Sequence, residues 1–214
     1  MPSKKKSSRG FTQILPFTEE LHASRIILKR LGKKHAVELI DLFKTNRRWL
    51  KPYLPEIPQN LSLPTMHKFL LFGRTEAGAA RRLELGIFFG ETRQLIGIVT
   101  LHSIVWGISL SAGLGFWIDR TFAGTGLMTE AVATLISFAF EETGLHRIWS
   151  SVQEKNLPSR RIFEKLEFSY EGTHRKELFI DGKWRNQQHF SLLREEYDRL
   201  AEKWIEKRWL GTPR

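Results

Sequence analysis

Apolar residues recur at helical spacing in five stretches of the chain. In residues 34–46, Val37, Ile40 and Phe43 lie three residues apart, with Leu39 and Leu42 beside them. This pattern predicts an amphipathic helix. The same reasoning predicts four further helices. These cover residues 65–74, 127–143, 157–168 and 195–209.

Strand-like runs lie between these helices. Residues 24–31 and 147–153 are rich in β-formers, and residues 82–104 contain two such runs around a polar turn. Residues 113–118 are nearly all apolar, which is typical of a strand buried on both faces. Asp181-Gly182 separates two more runs and indicates a β-hairpin.

Turn and loop residues complete the pattern. Residues 52–64 are rich in proline and predict a loop, Gly73 is expected to end the second helix, and Gly144 is expected to cap the third. The predicted order is β-α-α-β-β-β-α-β-α-β-β followed by a last helix, an α/β fold with one mixed sheet.

Length and composition favour one soluble domain. The chain has 214 residues, 41% hydrophobic residues and no cysteine. Disulfides and thiolate metal sites are therefore excluded, and a reducing, cytoplasmic location is expected. No apolar run approaches the roughly 20 residues of a membrane-spanning helix. We expect residues 1–23 to be a flexible basic tail, 24–194 the domain, and 195–214 a C-terminal amphipathic helix.

The charge balance points to anionic partners. The net charge is +11 and the isoelectric point is about 10.1. Such a balance suits nucleic acid, ribosomes or a polyphosphate cofactor, and it also suits a merely basic solvated surface. Lys4, Lys5, Lys6 and Arg9 concentrate part of this charge at the N-terminus.

Two glycines mark the most informative junction. Gly124 and Gly126 lie between the apolar run that ends at Ile118 and the helix that begins near Leu127. The first amides of a helix lack internal partners, and the helix dipole adds partial positive charge there. Glycines at this point would let phosphate oxygens approach the amides, although a plain turn is an equally simple explanation.

Two familiar nucleotide motifs are missing from this junction. The chain has no GxxxxGK[ST] run, and Thr129 stands where a dinucleotide fingerprint needs its third glycine. Nucleotide hydrolysis and hydride transfer are therefore disfavoured.

Four segments together resemble the GNAT acetyltransferase superfamily. GLGFWIDRTFAGTGLMTEAV resembles its (Q/R)xxGx(G/A) signature, and NLPSRRIFEKLEF resembles its NxxSxxxxEKxGF pattern. NRRWLKPYLP and IDGKWRNQQHFSLL resemble segments of the ribosomal-protein-alanine N-acetyltransferase (RimJ/RimL-like) branch. The resemblance spans residues 24–194. It implies the acyl-CoA N-acyltransferase fold, with a mostly antiparallel sheet flanked by helices.

The resemblance implies a site for acetyl-CoA as co-substrate. Trp117 and Ile118 would pair with the pantetheine arm as an extra strand would, and Asn156 would contact that arm unless it only caps a helix. The diphosphate would bind to consecutive main-chain amides of the glycine loop. These amides belong to Ala123, Gly124, Thr125, Gly126, Leu127 and Met128.

Some positions depart from the family pattern. Thr121 takes the Gln/Arg position, Ala123 a place where a basic residue is common, and Tyr53 a tryptophan place. Glu167 replaces the glycine of the usual GF, which predicts a slightly different turn. The first two departures would weaken cofactor affinity, although backbone amides do most of the phosphate binding in such a loop.

The resemblance also implies catalytic and acceptor-side residues. Ser159 matches a serine near the thioester sulfur, where it would donate a hydrogen bond to the leaving thiolate. Glu177 is a candidate general base, with a backbone-held water as the alternative. Trp49 and Tyr53 would form walls of the acceptor groove. Glu130 is expected to be structural, because it lies within the helix.

The acceptor amine is a matter of three alternatives. An α-amine has a pKa of about 7.7–8.0 and a lysine about 10.4, so an N-terminal substrate needs little help from a base. We therefore expect a protein N-terminus, such as that of a ribosomal protein. A small amine such as an antibiotic or polyamine is the second reading. A non-catalytic ribosome- or RNA-binding factor is the third.

The histidines are scattered in sequence and predict no metal site. None forms an HExxH motif or a close group with carboxylates. We therefore expect no metal cofactor, no membrane partner, and a monomer or homodimer that associates with ribosomes through its basic surface.

Overall fold

The computed structural model describes residues 17, 20–54, 58 and 60–210. Eight strands and five α-helices cover most of this part of the chain. They are β1 (Glu20–His22), β2 (Ile26–Arg30), α1 (Ala36–Leu50), α2 (Leu63–Gly78), β3 (Leu83–Phe89), β4 (Leu95–Val105), β5 (Ser111–Ile118), α3 (Leu127–Glu141), β6 (Arg147–Val152), α4 (Leu157–Lys165), β7 (Ser169–Ile180), β8 (Lys183–Leu193) and α5 (Arg194–Glu206).

The strands form one mixed sheet in the order β1-β2-β3-β4-β5-β6-β8-β7. Every neighbouring pair is antiparallel except β5 and β6, which are parallel. This parallel pairing covers only residues 111–113 against 147–149. The two strands therefore separate over the rest of their length and leave an opening in the middle of the sheet.

Helices cover both faces of the sheet. α1 and α2 pack on one face over a core that includes Ile40, Phe43 and Met66. α3, α4 and α5 contribute to a larger core on the other face, where Leu135, Phe163 and Trp204 are buried. The predicted α/β class with one mixed sheet is confirmed.

The ordered domain begins earlier than residue 24. Glu20–His22 pairs with β2, and Phe17 is buried against Phe138. The predicted tail boundary at residue 23 was therefore too late, because a short edge strand carries too few residues to show alternation. The tail lysines and Arg9 lie outside the described residues.

Two helix predictions need correction. α2 begins inside the predicted loop, where the Ser62 side chain accepts a hydrogen bond from the Thr65 amide, and it runs through Gly73 to Gly78. A glycine within a helix lowers its stability without ending it. In α1, Val37 is exposed although its spacing placed it on the apolar stripe, and Leu39 and Leu42 are buried instead.

The C-terminal helix packs on its own domain. Trp204 and Tyr197 of α5 are fully buried, and Tyr197 stacks near Phe140 of α3. The Tyr197 hydroxyl also donates a hydrogen bond to Glu141 and lies 3.0 Å from the Ser137 hydroxyl. α5 is therefore an integral part of the core. In the described part of the chain, no helix combines the length and apolar character needed to cross a bilayer.

Candidate active site

The opening between β5 and β6 continues into a cleft of about 870 Å³. Ser150 of β6 donates its hydroxyl to the Leu114 carbonyl at 2.7 Å, just where the two strands part. Beyond this point, β5 keeps its pairing with β4 up to Ile118, while its other edge is free of β6. Trp117 and Ile118 lie on this free edge and line the cleft.

The glycine loop lies at one end of the cleft. Gly124 and Gly126 have φ angles of +80° and +87°, a conformation that residues with a Cβ rarely adopt. Gly126 is the residue before α3, so the chain turns there directly into the helix. Within the described residues, the amides of Gly124, Gly126 and Met128 have no hydrogen-bond acceptor. The loop and the helix N-terminus together present the donors that an anion requires.

The predicted set of loop amides is partly wrong. The Ala123 amide already donates to the Arg120 carbonyl at 3.1 Å, and the Thr125 amide points to the Phe122 carbonyl at 3.5 Å. The tight turns that precede α3 use these two amides internally. Leu127 does not line the cleft, because its side chain is buried in the core. Only its amide, at the first position of α3, remains in the prediction.

A buried asparagine fixes the start of this loop. Asn46 of α1 donates to Asp119 Oδ2 at 3.0 Å and accepts a hydrogen bond from the Arg120 amide at 2.9 Å. Burial alone would raise the pKa of Asp119, but hydrogen bonds from Thr121 and Asn46 outweigh it and lower the pKa. Asn46 is the first residue of NRRWLKPYLP, and its position in that segment was the only signal of this role in the sequence.

An ion pair between half-exposed Arg25 and buried Glu130 fixes the other side of the loop. Glu130 is fully buried in α3 and accepts from the Arg25 backbone amide at 2.5 Å and from Arg25 Nε at 2.9 Å. Arg25 also donates to the Thr125 carbonyl at 3.2 Å. Glu130 therefore links β2 to the helix that follows the glycines. These contacts agree with the expectation that Glu130 has a structural role.

The N-terminal end of α4 forms part of the cleft wall. The Asn156 side chain caps this helix by accepting from the Ser159 amide at 3.4 Å, and both residues line the cleft. The capping explanation therefore holds, and contact with a bound molecule is compatible with it. Arg161 and Lys165 lie further along the same wall and place two positive charges there.

The opposite part of the cleft is bounded by the chain between α1 and α2. Trp49 and Tyr53 line it, and their role as walls of an acceptor groove stays a prediction. Gln153, after β6, donates to the Pro52 carbonyl at 2.6 Å. Lys51 pairs with Asp181 of the β7–β8 turn at 3.0 Å. These two contacts hold the segment after α1 against the far half of the sheet.

A carboxylate and two histidines meet at this end. Glu177 lines the cleft and lies 2.6 Å from His189 Nε2 and 3.5 Å from His174 Nδ1. The expectation that no histidine groups closely with a carboxylate was wrong. The three residues are distant in sequence or on opposite sides of a regular strand, and an irregularity in β7 brings them together.

His102 also lines the cleft, and its side chain is neutral near pH 7. Its ring packs edge-on against Trp149 and lies over Gly113, where a Cβ would come within 2.3 Å of it. Burial, assisted by the positive charge of Arg82, lowers the pKa of His102 to about 4. This environment of His102 could not be predicted, because the burial of a single histidine cannot be read from its neighbours in sequence.

The charges along the cleft do not form an acidic pocket. Three cationic and two acidic side chains line it, and one of those acids, Glu84, is paired with Arg82 at 2.8 Å. Glu177 is the other acid. The cationic residues are Arg82, Arg161 and Lys165.

Comparison with known proteins identifies the family. The family model described as acetyltransferase (GNAT) domain matches residues 25–169. A probable N-acetyltransferase of Bacillus subtilis, YjcK, is 41% identical over 108 residues, which are 50% of this chain and 60% of that protein's length. The [ribosomal protein uS5]-alanine N-acetyltransferase of Escherichia coli is 28% identical over 169 residues, 78% of this chain and 86% of its own.

The fold comparison agrees with the family match. The structure titled Mycobacterium smegmatis RimJ in complex with CoA-disulfide superposes with a TM-score of 0.81 at 23% identity, over 89% of this chain and 95% of that chain. The family match covers the glycine loop and α4, and both lie at the cleft described above. The chain belongs to the GNAT acetyltransferase family and is an N-acetyltransferase.

Proposed function

We propose that this protein transfers the acetyl group of acetyl-CoA to the α-amine at the N-terminus of a protein. The observation that carries the proposal is the arrangement of the cleft. It has unpaired amides at one end and a free strand edge in the middle. At the other end lies Glu177, a carboxylate that pairs with a histidine and not with an arginine. The structural neighbour in complex with CoA-disulfide supports the choice of cofactor.

The cofactor would occupy the cleft along β5. Its diphosphate would accept hydrogen bonds from the amides of Gly124, Gly126 and Met128, where the α3 dipole favours negative charge. Arg161 and Lys165 would add long-range attraction for the other phosphate of coenzyme A, the one on its ribose. The pantetheine amides would pair with the free edge of β5 at Trp117, in the manner of an added strand.

The reaction needs a neutral amine and a stabilised leaving group. The amine nitrogen attacks the thioester carbonyl, the carbon–sulfur bond breaks, and the nitrogen loses one proton. Glu177 would accept that proton, held in place by His189. Ser159 would donate a hydrogen bond to the departing thiolate as its charge develops.

The acceptor side favours one amine over a polycation. A polyamine carries several positive charges and needs several carboxylates, whereas this cleft has Glu177 and an acid already paired with Arg82. A peptide N-terminus brings one amine and an otherwise neutral backbone. The 28% identical Escherichia coli relative, named for a ribosomal protein, supports a ribosomal substrate, and the net charge of +11 supports an encounter with ribosomes.

A comparison of acceptors tests the proposal. The full chain is incubated with acetyl-CoA and, in turn, a peptide with a free N-terminus, the same peptide with a blocked N-terminus and a lysine, and spermidine. Release of free CoA gives kcat/KM for each. We expect the free N-terminus to exceed the other two by about 100-fold or more, since only its amine is substantially neutral near pH 7.5. Equal rates, or faster acetylation of spermidine, would contradict the proposal.

Two variants separate catalytic roles from binding. Glu177→Gln should lower kcat by about 10²-fold, the low end for loss of a proton acceptor, because an α-amine is already partly neutral near pH 7.5. Ser159→Ala should lower kcat by about 10²–10³-fold, the loss expected for a single hydrogen-bond donor, and both variants should keep their affinity for acetyl-CoA. Glu154→Gln, an exposed residue after β6, is a matched control and should leave kcat unchanged. If acetyl-CoA does not bind at all, the result would contradict the proposed acetyl transfer and favour a non-catalytic ribosome- or RNA-binding factor.

A further inference from the structure

The β7–β8 hairpin contains a cluster of three possible metal ligands, and the acetyl-transfer reaction does not account for all of them. His174, Glu177 and His189 each offer one ligand atom, and these three atoms lie within 4.8 Å of one another. Acetyl transfer uses at most the carboxylate and its histidine partner. His174 is exposed to solvent beside them.

A strand irregularity is what makes these side chains converge. In a regular strand, residues 174 and 177 would point to opposite faces of the sheet. The register of β7 against β8 shifts between His174 and Leu178, and Lys176 has a φ of +49° within the shift. The Lys176 amide donates to Asn186 Oδ1 at 2.9 Å, which stabilises the irregular conformation. Bulges of this kind redirect side chains and are frequent next to active sites.

The donor set suits a particular class of ion. Two imidazole nitrogens and one carboxylate oxygen are typical ligands of Zn²⁺, Ni²⁺ and Cu²⁺. A tetrahedral zinc with bonds of about 2.0–2.1 Å separates its ligand atoms by about 3.4 Å. The observed separations are 2.6 Å for Glu177 with His189 and 3.5 Å for Glu177 with His174. The His174 ring stacks on the His189 ring with centroids 3.7 Å apart, so it would have to rotate, together with the carboxylate, for all three ligand atoms to reach this geometry.

We propose that His174, Glu177 and His189 form a binding site for a transition-metal ion of the Zn²⁺ type, and that a bound ion inhibits acetyl transfer. The second half rests on the proposed function, because inhibition follows from the ion occupying the carboxylate that would accept the amine proton. Glu177 lines the cleft, so an ion bound to its carboxylate would lie at the acceptor end of the cleft. The site would therefore make the enzyme sensitive to free metal rather than dependent on it.

Direct metal binding tests the first half. The full, untagged chain is titrated with ZnCl₂ by calorimetry, and Co²⁺ is used as a visible-absorption probe of its coordination. The variants are His174→Ala, which removes an exposed ligand, and His146→Ala, which removes an exposed histidine paired with Glu195 far from the cluster. We expect one saturable site per chain in the wild type and in His146→Ala. We expect His174→Ala, which loses a direct ligand, to bind at least roughly 10–100-fold more weakly, since altering an outer-shell partner alone costs that much.

The opposite results are equally clear. No saturable zinc binding, or equal binding by all three proteins, overturns the site. Thermal unfolding of the metal-free variants checks that His174→Ala is folded, as its exposed position predicts.

Activity measurements test the second half. Without added metal, wild type and His174→Ala should acetylate the peptide at similar rates, and zinc should inhibit the wild type at concentrations that leave His174→Ala active. Zinc binding with undiminished activity overturns the inhibitory role alone. A chain that binds zinc but acetylates no peptide would contradict the proposed function and leave the metal site supported.

Discussion

At the scale of single residues, the proposed binding of the cofactor depends on backbone conformation as much as on side chains. Gly126 and Gly144 both have positive φ angles, +87° and +75°, and they precede and follow α3. Only Gly126 lies at the cleft. The sequence indicated both glycines as helix boundaries, but which amides the turn leaves unpaired depends on hydrogen bonds that a motif does not contain.

A pair of glycine substitutions separates strain from binding. Gly126→Ala and Gly144→Ala should each lower the free energy of unfolding by about 1–2 kcal/mol, because alanine disfavours the left-handed conformation. Only Gly126→Ala should also weaken acetyl-CoA binding, measured by calorimetry, since it displaces the amides of the loop. Equal acetyl-CoA affinity in the two variants would contradict the role of the loop.

Glu167 shows that a departure from the family pattern can place a residue with a Cβ in a left-handed conformation. It takes the place of a glycine and still adopts a φ of +57° after α4, where it forms an ion pair with Lys203 of α5. The predicted change of turn relative to the family stays a prediction. The local strain is retained and partly offset by a contact that the sequence alone does not show.

Removing this strain gives a prediction of the opposite sign. Glu167→Gly should raise the free energy of unfolding by about 1 kcal/mol, as relief of the left-handed conformation outweighs an exposed ion pair. Lys203→Ala is the control for the ion pair alone and should cost less than about 1 kcal/mol. Chemical denaturation measures both, and a destabilised Glu167→Gly variant would show that the ion pair dominates.

At the scale of elements, strong periodicity predicted the helices and the central strands, while their ends and irregularities escaped it. The Asp181-Gly182 turn was confirmed between β7 and β8. The bulge that gathers His174 with Glu177 could not be predicted, because a bulge depends on the register of the partner strand. For the same reason the histidines looked scattered in the sequence.

The C-terminal helix offers a test of its integration into the domain. Trp204→Ala should lower the free energy of unfolding by about 3–5 kcal/mol, since the indole is fully buried. Trp184→Ala, at a tryptophan that is 60% exposed on the hairpin, should cost about 1 kcal/mol or less. Denaturant titration of both variants makes the comparison, and similar losses would mean that α5 contributes little to the core.

At the scale of the whole molecule, one buried histidine links stability to pH. The pKa of His102 in the folded protein is about 4, below the value of about 6.5 expected when the chain is unfolded. Between these values the unfolded chain binds a proton that the folded protein does not, so stability falls as the pH falls. The loss of folding stability caused by His102 is absent above about pH 6.5 and complete below about pH 4.

The pH dependence has a measurable size. From pH 7 to pH 4 the wild type should lose about 3 kcal/mol more than His102→Gln, from 1.36 kcal/mol per pKa unit. Other acids titrate in both proteins, so the difference between the two isolates His102. Parallel loss of stability in both would show that the histidine is protonated in the folded state.

The central claim is that the unpaired amides of the glycine loop bind the diphosphate of coenzyme A. A crystal structure of the chain grown with CoA tests it most directly. The account predicts diphosphate oxygens within about 3.2 Å of the amide nitrogens of Gly124, Gly126 and Met128, with the pantetheine arm along the free edge of β5. A diphosphate bound elsewhere, with these three amides facing only solvent, would contradict it.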